Sequence, residues 1–215
     1  MSFLFNQCLN PARGLTEANY AEAAKSLGVE VAVIKAVAEV ESPSGAFDAQ
    51  GRPTILFERH YFHRLTGAAH DAGHPDISNS ASGGHGKFSA QYPKLERAYR
   101  LDPDAALRSA SWGRFQIMGD NYKAAGFTSA AAFVRAMTKS ELEHLKAFVN
   151  FVKSDPGQVT ALQKQDWADF AARYNGKAYK KNNYDTRLET AYQKYSGAAA
   201  ATSSATPAPT IPRLP

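Results

Sequence analysis

The sequence predicts a mainly α-helical (α+β) fold in which a small β element accompanies a larger set of helices. Amphipathic segments with the period of a helix recur along the chain, and several begin at a capping residue. The chain has 215 residues, of which 44% are hydrophobic and 21% charged, as in ordinary globular proteins. We therefore expect one folded domain over residues 15–197, between an irregular lead-in at 1–14 and a disordered Ala/Thr/Pro-rich tail at 198–215.

Two helices are predicted at the start of this domain. Thr16 can cap a first helix over residues 17–27, and Gly28 is placed to stop it. A second helix over residues 29–41 follows almost at once. Apolar residues occupy nearly all of its faces, which indicates a helix buried in the middle of the domain.

The middle of the chain predicts the β element and a long loop. Residues 52–65 begin with a β-like apolar run and then become amphipathic, which favours a short strand followed by a helix. Residues 70–93 are rich in Gly, Ser, His and Asn and predict a loop, and long loops in compact domains are often functional. Asp102 and Pro103 then begin a helix that ends near Ser109.

The second half of the domain predicts a glycine-bounded turn and further helices. The turn spans residues 111–119 and is expected to pack on the core. Thr138 and Glu141 are placed as a capping box for one of the helices. The helices are predicted at residues 129–137, 139–153, 166–174 and 183–195.

Glu41 is the first candidate functional residue. Lys35 and Glu39 lie four positions apart and can pair on one helix face, and at ~100° per residue Glu41 lies ~160° from Glu39. It therefore points towards the interior, and Pro43 ends the helix beside it. Burial and the negative end of the helix dipole both raise the pKa of this carboxyl group, as a general acid near neutral pH requires. Accepting hydrogen bonds from the amides of the 42–47 turn is its alternative role.

Several motifs occur in an order that is specific as a set. Val40-Glu41-Ser42 ends the second helix, Ser-Trp-Gly-Arg-Phe-Gln-Ile-Met-Gly follows at 111–119, and Tyr-Asn-Gly stands at 174–176. Further motifs stand at residues 15–20, 28–30, 36–42 and 55–60. Together they resemble the N-acetylmuramidase domain of phage endolysins, within the lysozyme-like superfamily, over residues 15–197.

The resemblance implies a lysozyme-like fold with a cleft. It also implies cleavage of the β-1,4 bond between N-acetylmuramic acid and N-acetylglucosamine in peptidoglycan, with Glu41 as general acid. Glu58 would be a second cleft carboxylate, since glycoside hydrolysis usually needs one to position water or stabilise positive charge. Asp48 is an alternative second carboxylate, and an ion pair with Arg59 or Arg64 is an alternative role for Glu58.

Four further residues are candidates for binding the sugars. The hydroxyl group of Ser111 and the amide group of Gln116 suit the acetamido and hydroxyl groups of amino sugars. Tyr174 would place an exposed phenol hydroxyl near the acid, and Asn175 would place an amide there. Turn formation is the alternative role of Ser111.

Other classes of function have weaker support. Histidines and aspartates crowd residues 60–85 but match no common zinc pattern, so we expect no metal and no cofactor. A lytic transglycosylase would use Glu41 as acid and base and would form a 1,6-anhydro product without water. A catalytically inactive wall-binding protein or a virion structural component is the alternative outside the enzymes.

Charge and hydropathy bear on partners and location. The formal charge of +5 suits an anionic polymer, but no nucleic-acid motif is present, so we expect peptidoglycan glycan strands as the partner and no nucleic acid. No stretch approaches the ~20 apolar residues of a membrane span, and the start lacks the features of a secretory signal. We expect a monomer without stable membrane association. It would be made in the host bacterial cytoplasm and reach the wall through a membrane lesion made by another protein.

Overall fold

Helices dominate the described part of the chain, and a small antiparallel sheet accompanies them. The structure is a computed structural model that describes residues 10–41, 45–176 and 179–203. The helices are α1 (Glu17–Leu27), α2 (Val31–Val40), α3 (Arg59–Leu65), α4 (Gln91–Leu101), α5 (Pro103–Arg108), α6 (Ala130–Met137), α7 (Glu141–Lys153), α8 (Pro156–Gln163), α9 (Trp167–Tyr174) and α10 (Tyr184–Ser203). The strands are β1 (Ile55–Phe57), β2 (Ala110–Trp112) and β3 (Ile117–Met118). The predicted mainly α fold with a small β element is confirmed.

α1 and α2 form as the sequence predicts, with small shifts at their ends. Thr16 Oγ1 accepts from the Asn19 N–H at 3.2 Å, and Asn19 Oδ1 accepts from the Thr16 N–H at 3.0 Å, which completes a capping box. The helix ends before Gly28, as predicted. α2 begins only at Val31 because Glu30 still has extended backbone angles and serves as the N-cap.

α2 lies in the middle of the molecule, as its apolar faces predict. Ile34 is fully buried, and the helix contacts both α1 and α10. The predicted pair of Lys35 with Glu39 gives way to pairs with neighbouring helices. Lys35 Nζ lies 2.7 Å from the Glu17 carboxylate of α1, and Glu39 Oε2 lies 2.7 Å from Lys194 Nζ of α10. Contacts with α1 and α10 therefore replace the predicted pairing between Lys35 and Glu39 within α2.

The sheet has the order β1-β2-β3, with both strand pairs antiparallel. Ser111 of β2 faces Leu56 of β1 on one side and Met118 of β3 on the other. The connection from β2 to β3 passes through Gly113, whose φ is +68°, and a Cβ atom there would lie 2.7 Å from the ring of His144. Only glycine combines this backbone conformation with so close an approach. The predicted glycine-bounded turn is therefore a β-hairpin that packs on α7.

Two helices in the connecting regions, α4 and α8, are not among those that the sequence predicts. α4 begins inside the predicted 70–93 loop, with Pro93 in its first turn. Proline is tolerated there because the first N–H groups of a helix have no partner within it. α8 is a further helix that the predicted set lacks; Asp155 caps it by accepting from the Gly157 N–H at 2.8 Å, and Pro156 occupies its first position.

The cap of α7 is Ser140, so the predicted capping box of Thr138 with Glu141 is wrong. Ser140 Oγ accepts from the Glu143 N–H at 3.2 Å, whereas Thr138 ends α6. Ser140 differs from Thr138 in its backbone pairing. Ser140 has extended backbone angles and forms an isolated bridge with Ala12. The local pattern carries no signal of this long-range contact.

The C-terminal helix is longer than predicted. α10 extends to Ser203, past the expected end near residue 195, because the alanines after Gly197 favour helix. The expected tail beyond Ser203, residues 1–9 of the expected lead-in and the expected stop at Pro43 lie outside the described residues. Across the described ranges, no helix is long and apolar enough to cross a membrane.

Candidate active site

A cleft of about 520 Å³ opens where the helices meet the sheet. Its walls come from the C-terminal ends of α2 and α9, the start of α10, strand β1 and the β2–β3 hairpin. The cleft is lined by Glu41, Gly45, Thr54, Ile55, Leu56, Glu58, Phe88, Ser111, Gln116, Met118, Tyr174, Asn175, Asn182 and Tyr184. Every residue that the sequence predicts for the site lines it. The structure thus brings together residues from distant parts of the chain.

Glu41 occupies the inner end of the cleft as the C-cap of α2 and is 5% exposed. Its Oε1 accepts from Asn175 Nδ2 at 3.2 Å, and Arg187 Nη2 donates to the neighbouring Val40 carbonyl at 2.9 Å. Burial raises the pKa of Glu41 to about 7, while the Asn175 hydrogen bond and the Arg187 charge oppose this rise. A large fraction of this carboxyl group is therefore protonated near neutral pH and can donate a proton.

Tyr174 and Asn175 stand together at the end of α9 beside Glu41. The Tyr174 hydroxyl donates to the Phe115 carbonyl at 2.7 Å, and its ring stacks on Phe170. The expectation of an exposed hydroxyl is therefore wrong, because the hydroxyl ties α9 to the β2–β3 hairpin. Burial, together with the nearby Glu41, raises the pKa of Tyr174 well above its usual value, so the phenol stays neutral.

Ser111 and Gln116 form the floor of the cleft and bond to each other. The Ser111 hydroxyl donates to Gln116 Oε1 at 2.7 Å, and Gln116 Nε2 donates to the Gly113 carbonyl at 2.8 Å. Gln116 has a φ of +47°, which is unusual for a residue other than glycine and costs backbone strain. These bonds stabilise the hairpin, and the strained residue faces the cleft.

Glu58 also lines the cleft, immediately after β1. Its Oε2 is 3.1 Å from His60 Nδ1, and its Oε1 is 2.9 Å from His85 Nε2. The expected alternative partners bind elsewhere: Arg59 Nε donates to the Ala81 carbonyl at 3.0 Å, and Arg64 pairs with Asp120 at 3.0 Å. Two imidazole rings therefore lie beside this carboxylate, where the alternative role would have placed an arginine.

Asp48, the alternative second carboxylate, belongs to a neighbouring turn and is not among the cleft residues. Its Oδ1 accepts from the backbone N–H groups of Gln50 and Arg52, each at 2.9 Å, and its Oδ2 accepts from Arg52 Nε at 2.8 Å. These bonds occupy the carboxylate and hold the turn. The geometry therefore favours Glu58 over Asp48.

Comparison with known proteins identifies the family of the chain. The model of the Muramidase family, described as N-acetylmuramidase, matches residues 30–196. The chain belongs to the N-acetylmuramidase family. The crystal structure of the Burkholderia AP3 phage endolysin is similar, with 46% sequence identity and a TM-score of 0.81, over 87% of this chain and 72% of that one. No curated protein sequence matches significantly. The enzyme is a peptidoglycan hydrolase with a lysozyme-like fold, and the predicted family is confirmed.

The enzyme also has cleft residues that the sequence prediction lacks. Phe88, in a short 3₁₀ turn within the predicted 70–93 loop, is 55% exposed, and a lone aromatic residue in a polar loop is the signal that could have indicated it. Tyr184, at the start of α10, lines the same cleft as Glu41, and burial together with the Glu41 charge raises its pKa. Arg187, in the same helix, also acts on Glu41. Neither α10 residue carries a local signal, because only the packing of α10 on α2 brings them to the acid.

The remaining histidines of the 60–85 segment have other partners in the enzyme. His63 Nδ1 lies 2.7 Å from Asp71 Oδ2, and the ring of His70 stacks on Phe62. Within the part of the chain that the structure describes, no group of three or more His, Cys, Asp or Glu side chains is suited to hold a metal ion. The expected absence of a metal is still a prediction.

Proposed function

We propose that the enzyme cleaves the β-1,4 bond between N-acetylmuramic acid and N-acetylglucosamine, with Glu41 as general acid and Glu58 as the second carboxylate. The observation that carries the proposal is the burial of Glu41 at the cleft, which raises its pKa to about 7. A protonated carboxyl group at neutral pH is what the departing sugar oxygen needs, because an alkoxide is a poor leaving group.

In the proposed reaction Glu41 donates its proton to the oxygen that joins the two sugars. The bond from the anomeric carbon of N-acetylmuramic acid to that oxygen then breaks, and positive charge develops on the sugar that keeps the anomeric carbon. Water adds its hydroxyl group to that carbon and gives up a proton to a carboxylate. Glu58 would position this water or stabilise the positive charge.

The environments of the two carboxyl groups support this division of roles. Glu41 is 5% exposed and has one amide donor, an environment in which the neutral form is favoured. Glu58 instead has a ring nitrogen beside each of its oxygens, so its surroundings are polar on both sides. Two acidic groups in contrasting environments are a common basis for acid and base assignments in glycosidases.

The rest of the cleft supports a glycan as the substrate. Polar groups suited to acetamido and hydroxyl substituents come from Ser111, Gln116 and Asn175, and three aromatic residues, Phe88, Tyr174 and Tyr184, also line the cleft. We infer sugar-binding roles for Ser111, Gln116, Tyr174 and Asn175, and their place in the cleft lining supports this inference. For Tyr174 the ring, rather than the bonded hydroxyl, would contact the sugar.

The decisive experiment is digestion of purified peptidoglycan, followed by mass spectrometry of the released fragments and identification of their reducing-end sugar. We expect N-acetylmuramic acid at the reducing end and fragments that have gained one water. Fragments with a 1,6-anhydro end would show a lytic transglycosylase, and N-acetylglucosamine at the reducing end would refute the bond assignment.

The role of Glu41 is tested by Glu41→Gln, with Glu22→Gln at an exposed carboxylate of α1 as the matched control. We expect the first variant to fold and to lose at least ~100-fold in kcat, since general acid catalysis contributes on that order, whereas the control keeps wild-type activity. Wild-type kcat in Glu41→Gln would refute the role of this residue.

A further inference from the structure

Glu58 is held between two histidines that reach it from different segments. His60 belongs to α3, which begins directly after Glu58, and His85 comes from the loop that precedes α4. Their ring nitrogens face different oxygens of the carboxylate, at 3.1 Å from Oε2 and 2.9 Å from Oε1. The three side chains are mostly covered from solvent, with exposures of 16% for Glu58, 32% for His60 and 33% for His85. We call this set the Glu58 cluster.

The two ring nitrogens depend on Glu58 for a partner. His60 Nδ1 and His85 Nε2 are both buried, and within the described residues neither forms a well-aligned hydrogen bond; their close polar contacts are the ones with the Glu58 oxygens, at 3.1 and 2.9 Å. A buried nitrogen without a partner is unfavourable, so the nearby carboxylate oxygens account for the placement of both rings. Glu58 is also the N-cap of α3, yet its side chain makes no capping hydrogen bond. Its carboxylate is therefore directed to the histidines and not to its own helix.

Buried polar groups fix the position of the backbone at His85. Gln91, which is 2% exposed, accepts from the Phe57 N–H of β1 at 2.9 Å and donates to the His85 carbonyl at 2.9 Å. Lys94 Nζ donates to the carbonyls of Gly84 and His85 at 2.6 and 2.9 Å, although burial disfavours its charge and lowers its pKa. Placing a lysine and a glutamine in the interior is unfavourable unless their bonds are satisfied. Here those bonds attach the loop to the strand that ends beside Glu58.

The loop is also fitted closely on its other side. The Arg59 guanidinium packs against Gly84, where a Cβ atom would lie 2.6 Å from Arg59 Cζ and φ is +70°. Arg59 Nε donates to the Ala81 carbonyl as well. Side chains from α3 and α4 thus hold residues 81–85, and His85 is the residue of this segment that reaches the cleft carboxylate.

We propose that His60 and His85 are positioning residues that hold the Glu58 carboxylate in the orientation its catalytic role requires. Each carboxylate oxygen of Glu58 has two lone pairs. A ring N–H from one histidine at each oxygen therefore leaves a second lone pair on that oxygen for water or for the sugar. Neither histidine exchanges a proton with the substrate in this scheme. The inference rests on the proposed role of Glu58 and extends it to His60 of α3 and His85 of the long loop.

The two histidines present different nitrogens, which allows matched replacements. The amide nitrogen of asparagine lies near the place of Nδ1, and that of glutamine lies near the place of Nε2. His60→Asn and His85→Gln therefore keep an N–H beside Glu58, whereas His60→Phe and His85→Phe keep the ring shape and remove it. His74→Phe, in the same loop and outside the Glu58 cluster, is the control.

The experiment measures kcat and KM on soluble peptidoglycan fragments for these variants, for Glu58→Gln, and for the double variant of Glu58→Gln with His85→Phe. Thermal unfolding checks that each variant folds. We expect His85→Phe and His60→Phe to lower kcat by about tenfold or more with KM little changed, and the amide variants to recover most of it. In the Glu58→Gln background, His85→Phe should change kcat by less than about twofold, because the two residues act through one another.

The outcomes separate the two proposals. If Glu58→Gln keeps wild-type kcat, the second-carboxylate role fails and the positioning role fails with it. If Glu58→Gln loses activity but His85→Phe and His60→Phe keep wild-type kcat, or if His85→Phe lowers kcat equally in both backgrounds, the positioning role alone is overturned. Loss of activity in His85→Gln equal to that in His85→Phe would also overturn it, since the N–H would not be what matters.

Discussion

The side-chain amide of Asn175 donates a hydrogen bond to Glu41 Oε1 at 3.2 Å, and this bond joins the C-terminal ends of α9 and α2 inside the cleft. Burial favours the neutral form of Glu41, whereas the Asn175 bond favours the ionised form. The Arg187 charge also favours the ionised form, and the balance of the three effects places the pKa of the acid at about 7.

Asn175→Ala should therefore move the alkaline limb of the pH–rate profile. Loss of the amide donor removes an effect that lowers the pKa of Glu41, so the acid stays protonated to higher pH. We expect the alkaline limb of kcat/KM to shift upward by about half a pH unit. Asn150→Ala, which removes an amide that bonds to the Ala125 carbonyl away from the cleft, is the control and should leave the limb in place. An unmoved or downward-shifted limb in Asn175→Ala would contradict the assignment.

Glu41→Gln should stabilise the enzyme at alkaline pH while abolishing its activity. The pKa of Glu41 is about 7 in the folded enzyme, against 4.5 for an unperturbed glutamate, so the folded state binds more protons between these values and loses stability as pH rises through them. Above pH 7 the buried charge destabilises the wild type by up to roughly 3 kcal/mol, and glutamine removes this effect. Urea unfolding at pH 8 and pH 4 measures it. The gain should appear at pH 8 and vanish at pH 4; a variant less stable than wild type at pH 8 would refute the argument.

His144 should make the enzyme lose stability in acid. Its Nδ1 accepts from the Arg114 N–H at 3.1 Å, Nε2 contacts the Met137 carbonyl at 2.6 Å, and burial lowers its pKa to about 4. In the unfolded chain this histidine binds its proton near pH 6.5, whereas in the folded enzyme it does so only near pH 4. The contribution of neutral His144 to the free energy of unfolding is therefore full above pH 6.5 and falls by up to roughly 3 kcal/mol as the pH drops to 4.

The matched measurement is the free energy of unfolding of wild type and His144→Gln at pH 7 and pH 4. We expect the variant to be less stable at pH 7 but to lose less on acidification. An equal loss in both proteins would show that another group governs acid stability.

Phe88→Ala should weaken substrate binding more than turnover. The ring is 55% exposed at the cleft, so its removal leaves the core intact and deletes a surface on which a sugar can stack. We expect KM to rise roughly three- to tenfold with kcat within about twofold, and Phe88→Trp to keep the wild-type KM. Leu101→Ala, at an exposed apolar residue outside the cleft, is the control. An unchanged KM in Phe88→Ala would remove the residue from the binding surface.

The sequence predicted the elements whose signals are local. The capping of α1 by Thr16, the stop at Gly28 and the buried character of α2 all depend on residues within a few positions of one another, and all appear in the structure. The N-cap of α7 was assigned to Thr138 because Thr138 and Ser140 both stand just before the helix. In the structure Ser140 is the cap, and its backbone forms a bridge with Ala12, which is distant in sequence. Helix α4 (Gln91–Leu101) was missed altogether, because loop-forming residues dominate the segment before it.

Within the site, the sequence alone determined which residues are candidates for the chemistry, since the motifs around Glu41, Glu58, Gln116 and Asn175 stand in a recognisable order. The tertiary structure decided what surrounds them. The pKa of Glu41 depends on burial, on Asn175 after α9 and on Arg187 of α10, and Glu58 faces two histidines and not the arginines of its alternative role. The physical reason is that motifs and helix periods record short-range constraints, whereas burial, desolvation and side-chain partners arise only when distant segments pack together.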